Sequence, residues 1–355
     1  MTLRVAILEV DPDGLSATGI RGRAMAGFLR ARGHHVSVLH PPPGFLERAS
    51  RARISLRSRL ARRLRGARSL PHLWDALAAA LRPQIERGGF DVVIGRGQHA
   101  AHATTGMTGF RKVLDAPNVE FLEGYYAAAP DLALVEATFD REETLLRDVH
   151  HVLVPHPLLQ TFLLEAFPRV EGLGKKLVTV GLGAEPARRH ARFSPEPRIV
   201  YAGSSYYFQD PLLLSRLAGL SPFPIECYGP HDPNRRFLPT ALRYKGYAPD
   251  ADFLADYQFG LITVSRDRLR QLSPVTKMAY YLMHGLPVLF PEWMKEGHEL
   301  PDCAVPYHED TFEDRVREAS TLPRWEALAA SARTAGARRS WEETLLPLAK
   351  LLEAP

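Results

Sequence analysis

Short apolar strands alternate with amphipathic helices from the start of this chain, and that alternation limits its possible folds more than any other feature. Arg4–Leu8 is apolar after its first residue and leads into a Gly-containing loop, Asp11–Gly19. A helix is expected from about Ile20 to Arg32, closed by Gly33, and His35–Leu39 reads as the next strand. Asp91–Ile94, Lys112–Leu114 and His151–Val154 continue the rhythm, the last after a helix near residues 136–148. Strand–helix repetition of this kind implies a mostly parallel sheet covered on both faces. Glycines, prolines and arginines fill 181–197, which reads as a connection between domains. The rhythm then restarts with Arg198–Ala202, Ile225–Tyr228 and Phe259–Val264. The expected fold class is therefore α/β, with two tandem Rossmann-like doubly wound domains, and 355 residues suit two domains of ordinary size.

The clearest local pattern lies in the second half, from Ser273 to Phe290. Ser273-Pro274 reads as a helix start and Gly285 as its stop, with Pro287 next and Val288-Leu289-Phe290 as a buried strand. Lys277 falls in the first turn, beside backbone N–H groups that already favour an anion. The arrangement suits a phosphate. An ordinary helix–turn–strand unit with a solvated lysine is the alternative.

Composition narrows the function classes. Hydrophobic residues make up 45% of the chain, as in soluble globular proteins. No run is long and uncharged enough to cross a bilayer, and the N-terminus reads as a strand, not a signal peptide. The two cysteines, Cys227 and Cys303, make no metal or disulfide framework, which fits a reducing cytoplasm. The net charge of +5 hides a local bias, because Arg48–Arg68 holds nine arginines and no acid. Leu56, Leu60 and Leu64 recur there at helical spacing, so the segment could rest on an anionic membrane surface. It lacks the interleaved aromatics of a nucleic-acid surface, and no nucleic acid is expected as a partner. A solvated surface helix remains the plain reading. The loop Glu9–Gly19 has no Gly-x-Gly-x-x-Gly pattern, which argues against a dinucleotide cofactor.

Several stretches, taken in order, resemble the GT-B glycosyltransferases, especially the family-four-like group. Lys175–Gly183 is similar to the segment closing the N-terminal domain, and Arg198–Gly203 to the first strand of the donor domain. Tyr244–Asp252 resembles a strand with its base-contacting loop, Lys277–Leu289 the donor-phosphate helix, and Ser340-Trp341 the start of the terminal helix. Ser340 with Glu343 also forms a helix-start signature by itself. The resemblance implies an N-terminal acceptor-binding domain over 1–182 and a donor-binding domain over 197–338, facing each other across a cleft. A helix over 339–355 would cross back to the first domain. It further implies transfer of a sugar from a nucleoside-diphosphate donor, UDP by expectation, to a glycan, lipid-linked or small-molecule acceptor. No cofactor and no metal are expected.

The departures are as specific as the matches. The two glutamates usual around this helix are replaced by Leu272 and Tyr280, and the Arg and Lys pair expected after the first donor strand is missing from Gly203–Asp210. The order Lys277, Tyr281, Gly285 is instead similar to the xanthan-type glucuronosyltransferases, inverting enzymes that act on a lipid-linked glycan at the inner membrane face. In that family the matching lysine contacts the donor diphosphate.

Glycosyl transfer needs the departing diphosphate stabilised as charge develops on it. Lys277 leads the candidates, with Ser273 and Thr276 at the same helix end, Arg266 after the Phe259–Val264 strand, and Gly203-Ser204 after another. The base would lie against Tyr228-Gly229 and Lys245-Gly246-Tyr247, with Tyr280 or Tyr281 facing the ligand. Gly19 and Arg21 are expected at a helix start toward the donor phosphates or the acceptor. An inverting route also needs a proton acceptor. Glu120 is the first candidate, Asp115 and Glu123 are its neighbours, and His99 with His102 form the second group. The residues leave the stereochemical course open, as they do three other readings: a non-catalytic GT-B-like partner, a nucleotide-sugar 2-epimerase and a nucleic-acid binder.

Overall fold

The computed structural model describes residues 2–10, 17–42, 72–126, 131–203, 210–229, 242–248, 250–273, 275–294 and 301–353. Ser204, Pro274 and the segment Arg48–Arg68 lie outside the described residues. The chain divides into two units, Met1–Gly181 with Leu345–Pro355, and Leu182–Thr344.

The first unit is a six-stranded parallel sheet in the order β2-β1-β3-β4-β5-β6. Its strands are β1 (Arg4–Leu8), β2 (His35–Leu39), β3 (Val92–Arg96), β4 (Arg111–Asp115), β5 (His151–Val154) and β6 (Leu177–Thr179). All five residues of β3 are buried, as expected for a parallel strand covered on both faces. The helix Ala17–Ala31 leads from β1 to β2 and begins about a turn earlier than its periodicity suggests. Gly33, at φ +84°, supplies the left-handed turn after it. The chain then returns past β1, so the order of connection reverses between β1 and β3.

The second unit carries another six-stranded parallel sheet, ordered β12-β11-β10-β7-β8-β9. These are β7 (Ile199–Ala202), β8 (Ile225–Tyr228), β9 (Arg243–Gly246), β10 (Phe259–Leu261), β11 (Val288–Pro291) and β12 (Ala304–Tyr307). Read from β9, this is the doubly wound order, with its reversal between β7 and β10. Ligands in such sheets sit outside the carboxyl ends of the strands at the reversal. Tyr201, Phe259, Tyr281 and Phe290 are fully buried in one core with the aliphatic residues of β7, β10 and β11.

Two local expectations change, and one strand appears that the sequence did not announce. The helix expected to open at Ser273-Pro274 begins at Thr276, with Val275 at its N-cap. Ser273 instead closes the preceding helix, Arg268–Leu272, and donates its hydroxyl to Leu269 O at 2.8 Å. β12 has no strand signal in the sequence because Pro306 interrupts it, yet it stands at the sheet edge, where a missing amide donor is tolerated. Gly285, at φ +74°, ends its helix as its position predicts. Ser340 likewise accepts from Glu343 N at 3.2 Å, at the start of the helix Trp341–Glu353. Among the described residues no helix is long and apolar enough to cross a membrane.

Candidate functional site

The second unit gathers its candidate groups where its strand order reverses. β7 ends at Ala202 and Gly203 follows with φ +151°, a backbone state that side chains rarely adopt. A Cβ on Gly203 would stand 3.2 Å from Lys277 Nζ and 3.3 Å from its Cε, so the glycine lets the lysine lie against the strand end. Lys277 comes from the first turn of the helix Thr276–Met283, and its ammonium sits 3.9 Å from the centre of the Tyr201 ring. The residue as a whole is half-buried, and its ammonium is desolvated. Burial pulls its pKa down to about 7, with the nearby Cys227 opposing slightly.

Tyr281 holds the two strands at the reversal together. Its hydroxyl accepts from Ala202 N at 2.9 Å and donates to Leu261 O at 3.2 Å, and its ring occupies space that any side chain on Gly260 would need. Because Tyr281 is completely buried, it is a strut of the sheet and not a nucleotide contact as expected. Tyr280 packs beside Ala184, Ala279 and Met283, half-buried. Thr276 is partly exposed at the helix start. Arg266 is exposed and lines an open cavity of about 320 Å³ with Asp267, Arg268, Gln271, Glu292 and Trp293. The two carboxylates there have partners: Asp267 accepts from Ser265 Oγ and Arg270 N, and Glu292 pairs with His308 at 2.9 Å.

The expected base-contacting loops also meet. Gly229 N donates to Gly246 O at 3.0 Å, and Tyr244 donates its hydroxyl to Gly229 O at 2.9 Å. Tyr228 packs against Phe253, ring centres 4.1 Å apart, with its hydroxyl 3.0 Å from that of Tyr257. Tyr257 in turn donates to the buried Glu226. Lys245 departs from expectation, since its ammonium is 3.7 Å from Glu226 and directed at a carboxylate of the protein itself. Tyr247 is half exposed, as a ring available for stacking would be.

In the first unit the structure brings two candidates together and removes two others. His99 follows β3 and Glu120 follows β4, and His99 Nδ1 lies 2.9 Å from Glu120 Oε1, both partly exposed. Burial disfavours the imidazolium, but the charges of Glu120, Glu123 and Glu9 outweigh it and raise the His99 pKa. Asp115, by contrast, is 1% exposed and clamped between Arg21 and Arg96. A carboxylate held by two guanidinium groups is a poor proton acceptor. Arg21 also donates to the carbonyls of Val180 and Gly181, so it serves the interior of the first unit and cannot turn toward phosphates. Gly19 is buried within the helix Ala17–Ala31. His102 bridges to Asp75 at 3.3 Å against Trp74.

Sequence reasoning did not single out Arg96, Gln98, Glu142 or Glu226. Arg96 carried a signal, since a charge ending an apolar strand stands at a carboxyl end. Glu142 carried none, because Arg141-Glu142-Glu143 on a helix reads as a solvated face.

No protein-family model matches the chain, and no curated protein sequence matches it. Solved structures do. Sucrose-phosphate synthase from Thermosynechococcus elongatus superposes with TM-score 0.73 at 14% identity, covering 99% of this chain and 98% of that one. HepE from Anabaena, solved with UDP and glucose, gives 0.66 at 13% identity over 99% of both chains. A glycosyltransferase from Rickettsia africae gives 0.64 at 11% identity over 100% of both. The chain has the GT-B fold. At these identities the likeness speaks for architecture, and none of these three neighbours is a xanthan-type glucuronosyltransferase.

Proposed function

We propose that this protein is a glycosyltransferase that takes a hexosyl or glucuronosyl group from a nucleoside-diphosphate sugar, UDP-linked, and works without a metal. One observation carries the reading: an enclosed lysine ammonium beside a left-handed glycine at the carboxyl-end reversal of the second sheet. That position is where doubly wound sheets bind ligands, and a cation desolvated on a tyrosine ring gains most from an arriving anion. The solved neighbour HepE, seen with UDP-glucose, supports the choice of donor.

In this reading the diphosphate lies against Lys277, Gly203, Ser204 and the amides that open the helix Thr276–Met283. As the bond to the sugar breaks, charge builds on the outer phosphate and the ammonium meets it. Thr276 adds a hydroxyl and Arg266 a second cation. Tyr247, with the Tyr228-Gly229 and Gly246 backbone, receives the base. In the first unit Glu120, backed by His99, takes the proton of the acceptor hydroxyl. The proposed acceptor is a lipid-linked glycan on the cytoplasmic face of a membrane, met through Arg48–Arg68.

A thermal-shift and calorimetric screen of UDP, GDP, ADP and their sugars tests the donor assignment. Selective stabilisation by a UDP-sugar, followed by sugar transfer to lipid-linked glycan extracts, is the expected result. Binding of none of these nucleotides would overturn it.

A further inference from the structure

The helix Glu120–Tyr125 starts without a cap of its own, because Val119 at its N-cap has no side-chain acceptor. The missing acceptor comes from another helix. Glu142, on Leu132–Asp148, takes the Glu120 N–H on Oε1 at 2.7 Å. Its other oxygen, Oε2, is buried with no hydrogen-bond partner among the described residues. Gln98 leaves a second orphan close by. Its amide nitrogen donates to Asn118 O at 2.7 Å, which fixes the amide orientation, and its Oε1 is buried and likewise unpartnered. Gln98 and Glu142 are 4% and 3% exposed, so bulk water does not reach these oxygens. Two buried acceptors that complete no hydrogen bond are expensive, and a single proton on the carboxyl group satisfies both.

We propose that Glu142 is a positioning residue for the Glu120–His99 pair, acting as a neutral carboxylic acid that accepts from Glu120 N–H and donates from Oε2 to Gln98 Oε1. The proposal rests on the reading of Glu120 as the acceptor's base, but its structural half is independent of that reading. Burial, and next the charge of Glu120, push the Glu142 pKa well above the usual carboxylate range, in keeping with a retained proton. The groups facing this cluster are Glu120, Glu123, Glu9 and His99, with the Glu120 and Phe121 amides and the Gln98 side chain against the carboxyl itself, whose hydrogen bonds oppose the upward shift without cancelling it. With Glu142 neutral, the carboxylate that touches His99 is Glu120, and Glu142 adds no charge of its own to the pair.

The chemistry names its own best replacement. Glu142→Gln keeps an acceptor for Glu120 N–H and a donor for Gln98 Oε1 and changes no charge. The full-length variant should fold with wild-type stability and leave the His99 titration, followed by NMR without any substrate, where it was. Infrared difference spectra of the wild type at pH 7 should contain a buried carboxylic-acid band that Glu142→Gln lacks. If the Glu142 side chain were ionised, the same variant would remove a nearby negative charge, lower the His99 pKa and remove no acid band. Either result, or failure of Glu142→Gln to fold, would overturn the proposal. Glu142→Leu, which loses both bonds, should lower kcat about tenfold with donor KM unchanged. A silent Glu142→Leu beside a confirmed acid band would dismiss Glu120 as the base while leaving the neutral carboxyl standing, so the two failures read differently.

Discussion

The carboxyl ends of the two sheets handle charge in opposite ways. In the first unit, Glu9, Arg21, Arg96 and Asp115 are all at most 4% exposed and bind one another, so the charges at that reversal are satisfied within the unit. In the second, the corresponding place holds glycine backbone and one enclosed ammonium on a tyrosine ring. The first arrangement holds strands in place. The second carries an ammonium whose burial has brought its pKa to about 7, and in the proposed reading an arriving anion would stabilise its charge. Position at a strand's carboxyl end therefore identifies where chemistry can occur, and the partners already present decide whether it does.

The largest expected effect tests the closed side of this contrast. Asp115→Asn leaves Arg21 and Arg96 facing each other without their shared carboxylate. Removing one partner of a buried ion pair usually destabilises by about 3–5 kcal/mol. Urea unfolding should show that loss in the first unit, with UDP affinity of the surviving folded protein unchanged. A change below about 1 kcal/mol would mean that water already screens these charges and that the two ends are alike in how they hold charge.

The same contrast shows what the sequence could and could not reveal. Strand alternation made the parallel α/β architecture legible, and the spacing of Lys277, Gly285 and Val288 placed the helix and strand of the second site within a few residues. Side-chain direction was not legible. Asp115 ends β4 and Glu120 comes five residues later, yet one turns inward to two arginines while the other reaches His99. Tyr280 and Tyr281 are adjacent, and helical geometry sends only the second into the sheet. The arginines that disqualify Asp115 come from 94 and 19 residues away in sequence, and nothing local marks such pairs.

A smaller but more direct effect follows from the open side. Lys277→Ala removes a charged donor to the diphosphate, and hydrogen bonds to charged groups are worth about 1.5–3 kcal/mol, or roughly tenfold to 150-fold in UDP affinity. Uridine, which lacks phosphates, should bind the variant and the wild type alike. Equal UDP affinity of the two proteins would leave the second sheet end as inert as the first.

The pH dependence sharpens this further, because the two expected slopes have opposite signs. Below about pH 7 the lysine is charged in folded and unfolded chains, and the folded chain bears the whole burial penalty. As pH rises from about 7 toward the ordinary lysine value of 10.5, the folded protein loses its proton first, so stability increases. Over the same window the ammonium that meets the diphosphate disappears, so UDP affinity should fall by as much as about tenfold per pH unit until the bound-state pKa is reached. Calorimetric titrations at pH 7, 8 and 9 measure the second slope and thermal unfolding the first. Lys277→Ala should flatten both. A UDP affinity that stays level across this range would place the lysine's titration elsewhere.

The smallest effect separates the aromatic rings of the second unit. Tyr228 is packed on Phe253 and linked to Tyr257, so its ring face is already occupied, whereas Tyr247 is half exposed. In the proposed reading the more exposed ring stacks on the base, and such contacts contribute about 0.5–1.5 kcal/mol. Tyr247→Ala should therefore weaken uridine and UDP alike by about fivefold while leaving inorganic pyrophosphate untouched, the mirror image of Lys277→Ala. Tyr228→Phe should lower the melting temperature slightly and leave uridine affinity as it was. If the two substitutions exchanged these outcomes, base recognition would belong to the packed ring, and exposure would have misled the assignment of the base just as strand position alone misled that of Asp115.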